Sequence, residues 1–226
     1  MSGMWRSDDL LARLSRLPEP GTRVAPSGPA SAEEDMLLVA PRGDHDLNPD
    51  LYDPDAPLRE AAVLVPIIRR PGEMTVLLTR RAKHLPDHPG QISFPGGSVD
   101  PGDADAEAAA LREAQEEVGL PPGCVTVVGR LDTYIVRTGF RVVPVVGLLQ
   151  PPFELQPEEG EVDEIFEVPL AFFLDPANRE LHSRMFRGTE RFFYAYPFGD
   201  YYIWGATAGM LSNLSEVLLQ PDLLKS

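Results

Sequence analysis

The run Arg112-Glu113-Ala114-Gln115-Glu116-Glu117 sets one guanidinium beside three carboxylates. On a helix, with Glu113 at 0°, Glu117 falls near +40° and Glu116 near −60°, so the three acids share an arc of about 100°. Leu111, Ala114 and Val118 occupy the other side and can face a sheet, which turns the acids away from it. Arg112 stands four residues before Glu116 and can hold that carboxylate in place. Like charges this close destabilise a helix unless something compensates them. Hard divalent cations such as Mg²⁺ or Mn²⁺ suit an oxygen-rich cluster of this kind. A solvated acidic face has the same composition, so the cluster alone decides nothing.

Local signals delimit the helix. Asp103 is a predicted N-cap, Asp105 and Glu107 bring negative charge to the first turn, Gly119 suits the C′ position, and Pro121-Pro122 prevent continuation. These predict a helix over 104–118. Upstream, Ile92-Ser93-Phe94 leads into a predicted turn at Pro95-Gly96-Gly97, where glycines let backbone approach a metal or phosphate closely. The apolar runs 62–68 and 74–78, separated by Arg-Arg-Pro-Gly-Glu, read as a hairpin, followed by a polar loop over 80–91. Further strands are expected at 125–133, 140–149 and 190–197, and a last helix at 206–220. Strands and helices do not alternate regularly, which predicts an α+β fold with a mixed sheet packed between helices.

Residues 1–57 hold 8 of the 24 prolines. Leu10, Leu14 and Leu17 share one face of a short helix expected over Ser7 to Leu17, and the rest reads as irregular chain. The expected organisation is an extension, 1–57, packed on a domain formed by 58–226.

Composition narrows the function. The 226 residues carry 35 acidic and 20 basic side chains, a net charge of −15, which argues against binding nucleic acid or an anionic membrane. At 43% hydrophobic and 24% charged the chain can bury a core. A single cysteine, Cys124, excludes an internal disulfide. No leader pattern or apolar stretch of spanning length is present, so a cytoplasmic location is expected.

The segment Gly97…Arg112-Glu113-Ala114-Gln115-Glu116-Glu117-Val118-Gly119-Leu120 resembles the signature of the Nudix hydrolases. The tail of that signature, R-E-U-x-E-E-x-G-U, is matched at every fixed position. At its front, Ala104 stands where the pattern has an acid, and one inserted residue brings Asp103 to that role. Leu77-Leu78-Thr79-Arg80-Arg81-Ala82 and His88-Pro89-Gly90-Gln91-Ile92-Ser93-Phe94-Pro95-Gly96-Gly97 resemble the segment upstream of the box in the coenzyme A diphosphatase subfamily. Residues 138–147 and Trp204-Gly205-Ala206-Thr207-Ala208 are similar to that group too, whereas Pro86 replaces an arginine of its pattern.

The resemblance implies a Nudix α/β/α sandwich that cleaves the diphosphate of coenzyme A, or of its thioesters, into adenosine 3′,5′-bisphosphate and 4′-phosphopantetheine. It implies Mg²⁺ or Mn²⁺ on Glu113 and Glu117, with the Gly97 carbonyl as a main-chain ligand and Glu116 as ligand or water-activating base. Arg112 orients Glu116. The base can instead come from the acidic run 158–164, where Glu161 and Glu164 fit the subfamily best. Arg80, Arg81, Lys83, His84 and His88 form the densest basic patch of an acidic chain. With Gly96 and Gly97, the patch residues Arg80, Arg81, Lys83 and His88 are expected to meet a small phosphorylated substrate, Arg81 at its 3′-phosphate. Other nucleoside diphosphate derivatives, such as ADP-ribose or a dinucleotide, and a ligand-sensing module without turnover are the alternatives; the sequence leaves the oligomeric state open.

Overall fold

A computed structural model describes residues 5–17, 41–51, 53, 55–186 and 188–220. Strand β2 (Arg59–Arg70) and strand β3 (Glu73–Arg81) form the predicted hairpin, closed by Arg70 opposite Glu73. Both strands are buried on two faces, and alternation sends successive side chains to opposite layers. Ala62, Leu64, Ile68 and Leu77 face one apolar layer; Ala61, Val65, Ile67, Val76 and Leu78 face the other.

Around this hairpin a mixed sheet assembles. Strand β8 (Phe140–Leu149) runs parallel to β2, while β4 (Ile92–Ser93) and β9 (Val162–Pro169) pair antiparallel with β3. Strands β6 (Val125–Arg130) and β7 (Tyr134–Val136) pair with β8, and β1 (Arg42–Gly43) runs parallel to β7. Gly96 and Gly97 belong to a short strand, β5 (Gly96–Ser98), antiparallel to β2, rather than to the turn that their composition predicts. Three strands, β10 (Glu180–Phe186), β11 (Thr189–Phe198) and β12 (Tyr201–Trp204), make a separate antiparallel sheet.

Helices cover both faces. Helix α2 (Ala106–Val118) buries Ala109, Ala110, Ala114 and Val118 in the layer with Leu64 and Leu77. On the other face lie α1 (Ser7–Leu14), the short α3 (Leu170–Leu174) and α4 (Ala206–Leu218). The mixed sheet between helices matches the expected Nudix sandwich.

Helix α1 stops at Leu14, short of the Leu17 expected, and seats Leu10 and Leu14 in the core. Arg13 donates to the carbonyls of Leu218 at 2.6 Å and Gln220 at 3.1 Å, putting a cation where the end of α4 leaves carbonyls unpaired. Residues 41–48 also lock onto the domain. Asp44 accepts from the Tyr134 hydroxyl at 3.2 Å and the Arg137 N–H at 2.9 Å, and the buried Asn48 bonds both main-chain groups of Phe192. The expectations for residues 18–40 fall outside the described residues.

Leu14 is fully buried, so Leu14→Ala should cost about 2–4 kcal/mol of stability. Urea unfolding measures this, and a loss below about 0.5 kcal/mol would show that α1 is not part of the cooperative core.

Candidate active site

Asp105, not Asp103, caps α2, its carboxylate accepting from the Ala108 N–H at 2.9 Å. Gly119 closes the helix in the left-handed region at φ 68°, and Leu120 N–H returns to the Ala114 carbonyl at 3.3 Å. Asp103 is thereby free for another task. It meets the Arg112 guanidinium fork-on, Nε to Oδ1 and Nη2 to Oδ2, each at 3.0 Å. This pairing holds the Asp103 carboxyl below its ordinary range and raises the Arg112 guanidinium.

Arg112 is the hub of the segment. Its Nη1 donates at 3.0 Å to both Glu113 Oε1 and Glu116 Oε2, and its Nη2 donates to the Ser98 carbonyl at 3.1 Å. One side chain thus ties β5 and the loop after it to two carboxylates of the helix. The Glu116 contact is the one that the i, i+4 spacing predicts.

The three acids separate by environment. Glu116 sits on the rim, its side chain 59% exposed. Glu117 is only 7% exposed and its Oε2 accepts from the Gly96 N–H at 3.3 Å. The expectation that Glu117 faces away from the sheet is therefore corrected: +40° on the wheel brings it under β5, which the helix crosses. Burial pushes the Glu117 carboxyl up to about 8, the Gly96 N–H opposes the shift, the charges of Glu113 and Glu161 add to it, and Arg81 opposes it. Burial also raises Glu113; Arg112 opposes this, while Glu116 and Glu161 reinforce it. A Cβ on Gly97 would lie 2.6 Å from Glu113 Oε1, so a larger residue there would push that carboxylate away from β5.

Strand geometry sorts the remaining residues. Arg80 and Arg81 are neighbours in β3 and point to opposite faces. Arg81 is on the α2 side, where its charge reaches Glu117, and its Nε donates to the Asp87 carbonyl at 3.1 Å. Arg80 is on the other side, 3.5 Å from Glu164 and 5.1 Å from the centre of the Tyr201 ring. The basic patch is thus split by the sheet.

Glu161 and Glu164 part in the same way. Within the acidic run β9 begins at Val162, so Glu164 stands on a strand opposite Arg80. There it accepts from the Tyr201 hydroxyl at 2.7 Å and is not among the helix carboxylates. Residues 156–161 instead dock on the end of α2, with Gln156 and Glu158 N–H groups on the carbonyls of Val118 and Glu117, both at 2.9 Å. This carries Glu161 to Glu113 and Glu117.

A pocket of about 400 Å³ opens between the loop after β3 and β12. Arg80, Lys83, Gln91, Tyr202 and Trp204 contribute to its wall. Its aromatic side was not foreseen in the sequence; its only signal was the short run Tyr201-Tyr202-Ile203-Trp204. His88, in the left-handed region at φ 57°, bonds Gln91 at 2.9 Å and braces the same loop. A second cavity, about 170 Å³, lies between residues 42–47 and α4, and none of the α2 carboxylates lines it.

Among the described residues no three His, Cys, Asp or Glu side chains are gathered as a metal cage. The cause is local: Arg112 draws one oxygen from each of Glu113 and Glu116, while Gly96 takes one from Glu117. The donor chemistry nevertheless fits a hard divalent ion. Glu113, Glu117 and Glu161 bring only oxygen donors, and two of these carboxyls are lifted by burial and mutual repulsion.

The NUDIX domain family model matches residues 58–188, spanning β2, α2 and the strands that carry these groups. The chain belongs to the Nudix hydrolase family. It is 45% identical over 157 residues to the uncharacterized Nudix hydrolase NudL of Escherichia coli K12, covering 70% of this chain and 81% of that protein. NudL of Salmonella paratyphi B is similar to the same degree over the same coverage. A MutT/nudix family protein from Enterococcus faecalis aligns over 87% of this chain and 74% of its own, at 18% identity and a TM-score of 0.45. Nudix hydrolases generally use a divalent metal and cleave diphosphate substrates. No helix among the described residues is long and apolar enough to cross a membrane.

The raised Glu117 carboxyl has a linked effect on stability. Between its ordinary 4.5 and about 8 the folded chain binds more protons than the unfolded one. Metal-free protein should therefore lose stability as pH rises through that window, by at most about 1.4 kcal/mol per unit. Glu117→Gln should remove this slope. Thermal melts in EDTA check it, and parallel curves for the two proteins from about pH 5 to pH 8 would show that Glu117 keeps its ordinary carboxyl.

Proposed function

We propose that the protein is a coenzyme A diphosphatase that works with Mg²⁺ or Mn²⁺ held by Glu113 and Glu117, with the Gly97 carbonyl and Glu116 completing or tuning the site. The observation that carries this reading is the placing of Glu113 and Glu117 against Gly97 and Gly96, within electrostatic reach of Glu161, with Arg112 holding helix and loop together. The bound ion supplies positive charge against the diphosphate and lowers the pKa of a nearby water.

The protein's own groups do the rest. Glu161 takes a proton from the attacking water as its oxygen bonds to phosphorus and the bridging P–O bond breaks. Glu161 is favoured as base because Glu116 is held by Arg112, while Glu164 lies across the sheet with Tyr201 and Arg80. Arg81, on the α2 side, faces charge that builds on the phosphoryl oxygens. Arg112 positions Glu113 and Glu116 and moves no proton.

The substrate class rests on the coenzyme A diphosphatase-like segment around residues 77–97 and on the pocket beside it. Lys83 brings an exposed cation to a wall that also holds Tyr202 and Trp204, a combination suited to an adenine bearing a ribose phosphate. The 3′-phosphate role first expected of Arg81 passes to Lys83, because β3 turns Arg81 toward the carboxylates.

Incubation with coenzyme A and Mg²⁺ or Mn²⁺ should yield adenosine 3′,5′-bisphosphate and 4′-phosphopantetheine, and EDTA should stop the reaction. Faster turnover of ADP-ribose or a dinucleotide in the same chromatographic assay would overturn the substrate assignment. Glu117→Gln and Glu161→Gln should each lower kcat by about 10²–10⁴-fold. Lys83→Ala should raise KM for coenzyme A about tenfold more than for 3′-dephospho-coenzyme A, whereas Arg81→Ala should slow both substrates alike.

A further inference from the structure

Three of the most exposed large apolar side chains lie together at one edge of the small sheet: Leu181 at 58%, Met185 at 65% and Phe192 at 40%. Among the described residues β10 pairs with β11 alone, so its other edge is open.

Hydrogen bonds fix which groups that edge presents. Asn48 donates to the Phe192 carbonyl and accepts the Phe192 N–H, both at 2.9 Å, and the Tyr194 carbonyl accepts from Gly205 N–H at 3.2 Å. Even-numbered residues of β11 therefore turn their main chain away from β10, and odd-numbered ones turn toward it. The register places Phe193 opposite His182 and Arg191 opposite Arg184. On β10 the even-numbered residues are thus the ones bonded to β11. The N–H and C=O groups of Leu181, Ser183 and Met185 point outward.

We propose that this edge pairs antiparallel with the same edge of a second copy of the chain, about a two-fold axis at Ser183. In that register the outward groups meet: Ser183 lies opposite its own mate, and Leu181 lies opposite Met185 of the second copy. Each such pair exchanges main-chain hydrogen bonds, which joins the two three-stranded sheets into one. The side chains agree with the register. Leu181, Ser183, Met185 and Phe192 share one face, because Ser183 is the partner of Phe192 in the ladder. The small Ser183 leaves room at the axis for both copies of Phe192, flanked by Leu181 and Met185, and its hydroxyl donates at 2.6 Å to Glu190 on the same face.

On the opposite face, Glu180 stands diagonally across from Arg184 of the second copy, within reach for long side chains of opposite charge. Two charges, Glu180 and Arg184, are the protection this edge carries, and the proposed register pairs them with each other; others are missing. Residues 180–186 contain no proline or lysine, and the register runs from Glu180–Ala195 to Phe186–Thr189 without a bulge. The exposed apolar groups and unpaired backbone coincide on one self-complementary strand, and this favours a second copy over an unrelated partner.

Sedimentation velocity of the full chain at tens of micromolar should give twice the chain mass. The double variant Leu181→Lys, Met185→Lys should be a monomer at the same concentration, its dissociation constant raised at least about tenfold, with an unchanged circular dichroism spectrum. Ser183→Cys in a Cys124→Ser background should form a disulfide-linked dimer under mild oxidation, since such a pair sets Cα atoms about 5.5 Å apart. A wild-type chain that stays monomeric at about 100 µM would overturn the proposal. So would a dimer that survives the double variant and leaves Ser183→Cys uncrosslinked.

Discussion

A single guanidinium holds the candidate active site in its shape. Three glutamates in one helical turn repel one another, and burial of two of them sharpens the repulsion because water no longer screens it. Arg112 answers with contacts in two directions, to Asp103 and the Ser98 carbonyl in the loop and to Glu113 and Glu116 on the helix. Its planar fork makes these at once, which an ammonium on a flexible stem could not do with the same geometry. Compensation remains partial: Arg112 is not among the charges acting on Glu117, whose carboxyl stays raised. The site keeps an excess of negative charge that a divalent ion can relieve.

The sheet decides which groups join that excess. Alternation along β3 sends Arg81 to the helix side and Arg80 to the opposite side, and pairing of β9 with β3 sends Glu164 after Arg80. Glu161 avoids this fate because it precedes the strand, in a segment whose N–H groups cap the final carbonyls of α2. Those same bonds satisfy a helix end and deliver a carboxylate to the face of α2 that carries Glu113 and Glu117. Local satisfaction of backbone polarity and assembly of the site are here one event.

Much of this was legible in the residues because it depends on short-range spacing. The helix, its glycine stop, the hairpin of β2 and β3 and the Arg112–Glu116 contact follow from period and caps. What escaped was set by tertiary pairing. Asp103 and Asp105 are equally good caps in a one-dimensional string, and only the position of Arg112 in space takes Asp103 away. Gly96-Gly97 reads as a turn until β2 supplies a partner for it. The helical wheel gave Glu117 its angle, but not the short strand lying over that angle. β9, β10 and β12 lack clean alternation, since they are short, charged or aromatic, so nothing in the residues puts Glu164 on a strand or Tyr201 beside it.

The strongly acidic composition stands at odds with the diphosphate substrates of the family until charge is followed locally. Net charge acts through the summed field at distances where salt screens it, whereas a buried carboxylate and a neighbouring cation act within a few ångströms. The excess here is distributed so that Glu113, Glu117 and Glu161 gather on one face of the sheet, and Lys83 and Arg80 open toward a pocket walled by aromatic rings. An anion approaching without a cation meets net repulsion at the carboxylates, which Arg81 and Arg112 offset only in part, and attraction beside β12. On the function proposed above, a diphosphate carrying a second phosphorylated arm would be held by the pocket, and its reacting bond would need metal at the carboxylates. On that same proposal, discrimination among diphosphates rests with the pocket and cleavage with the helix.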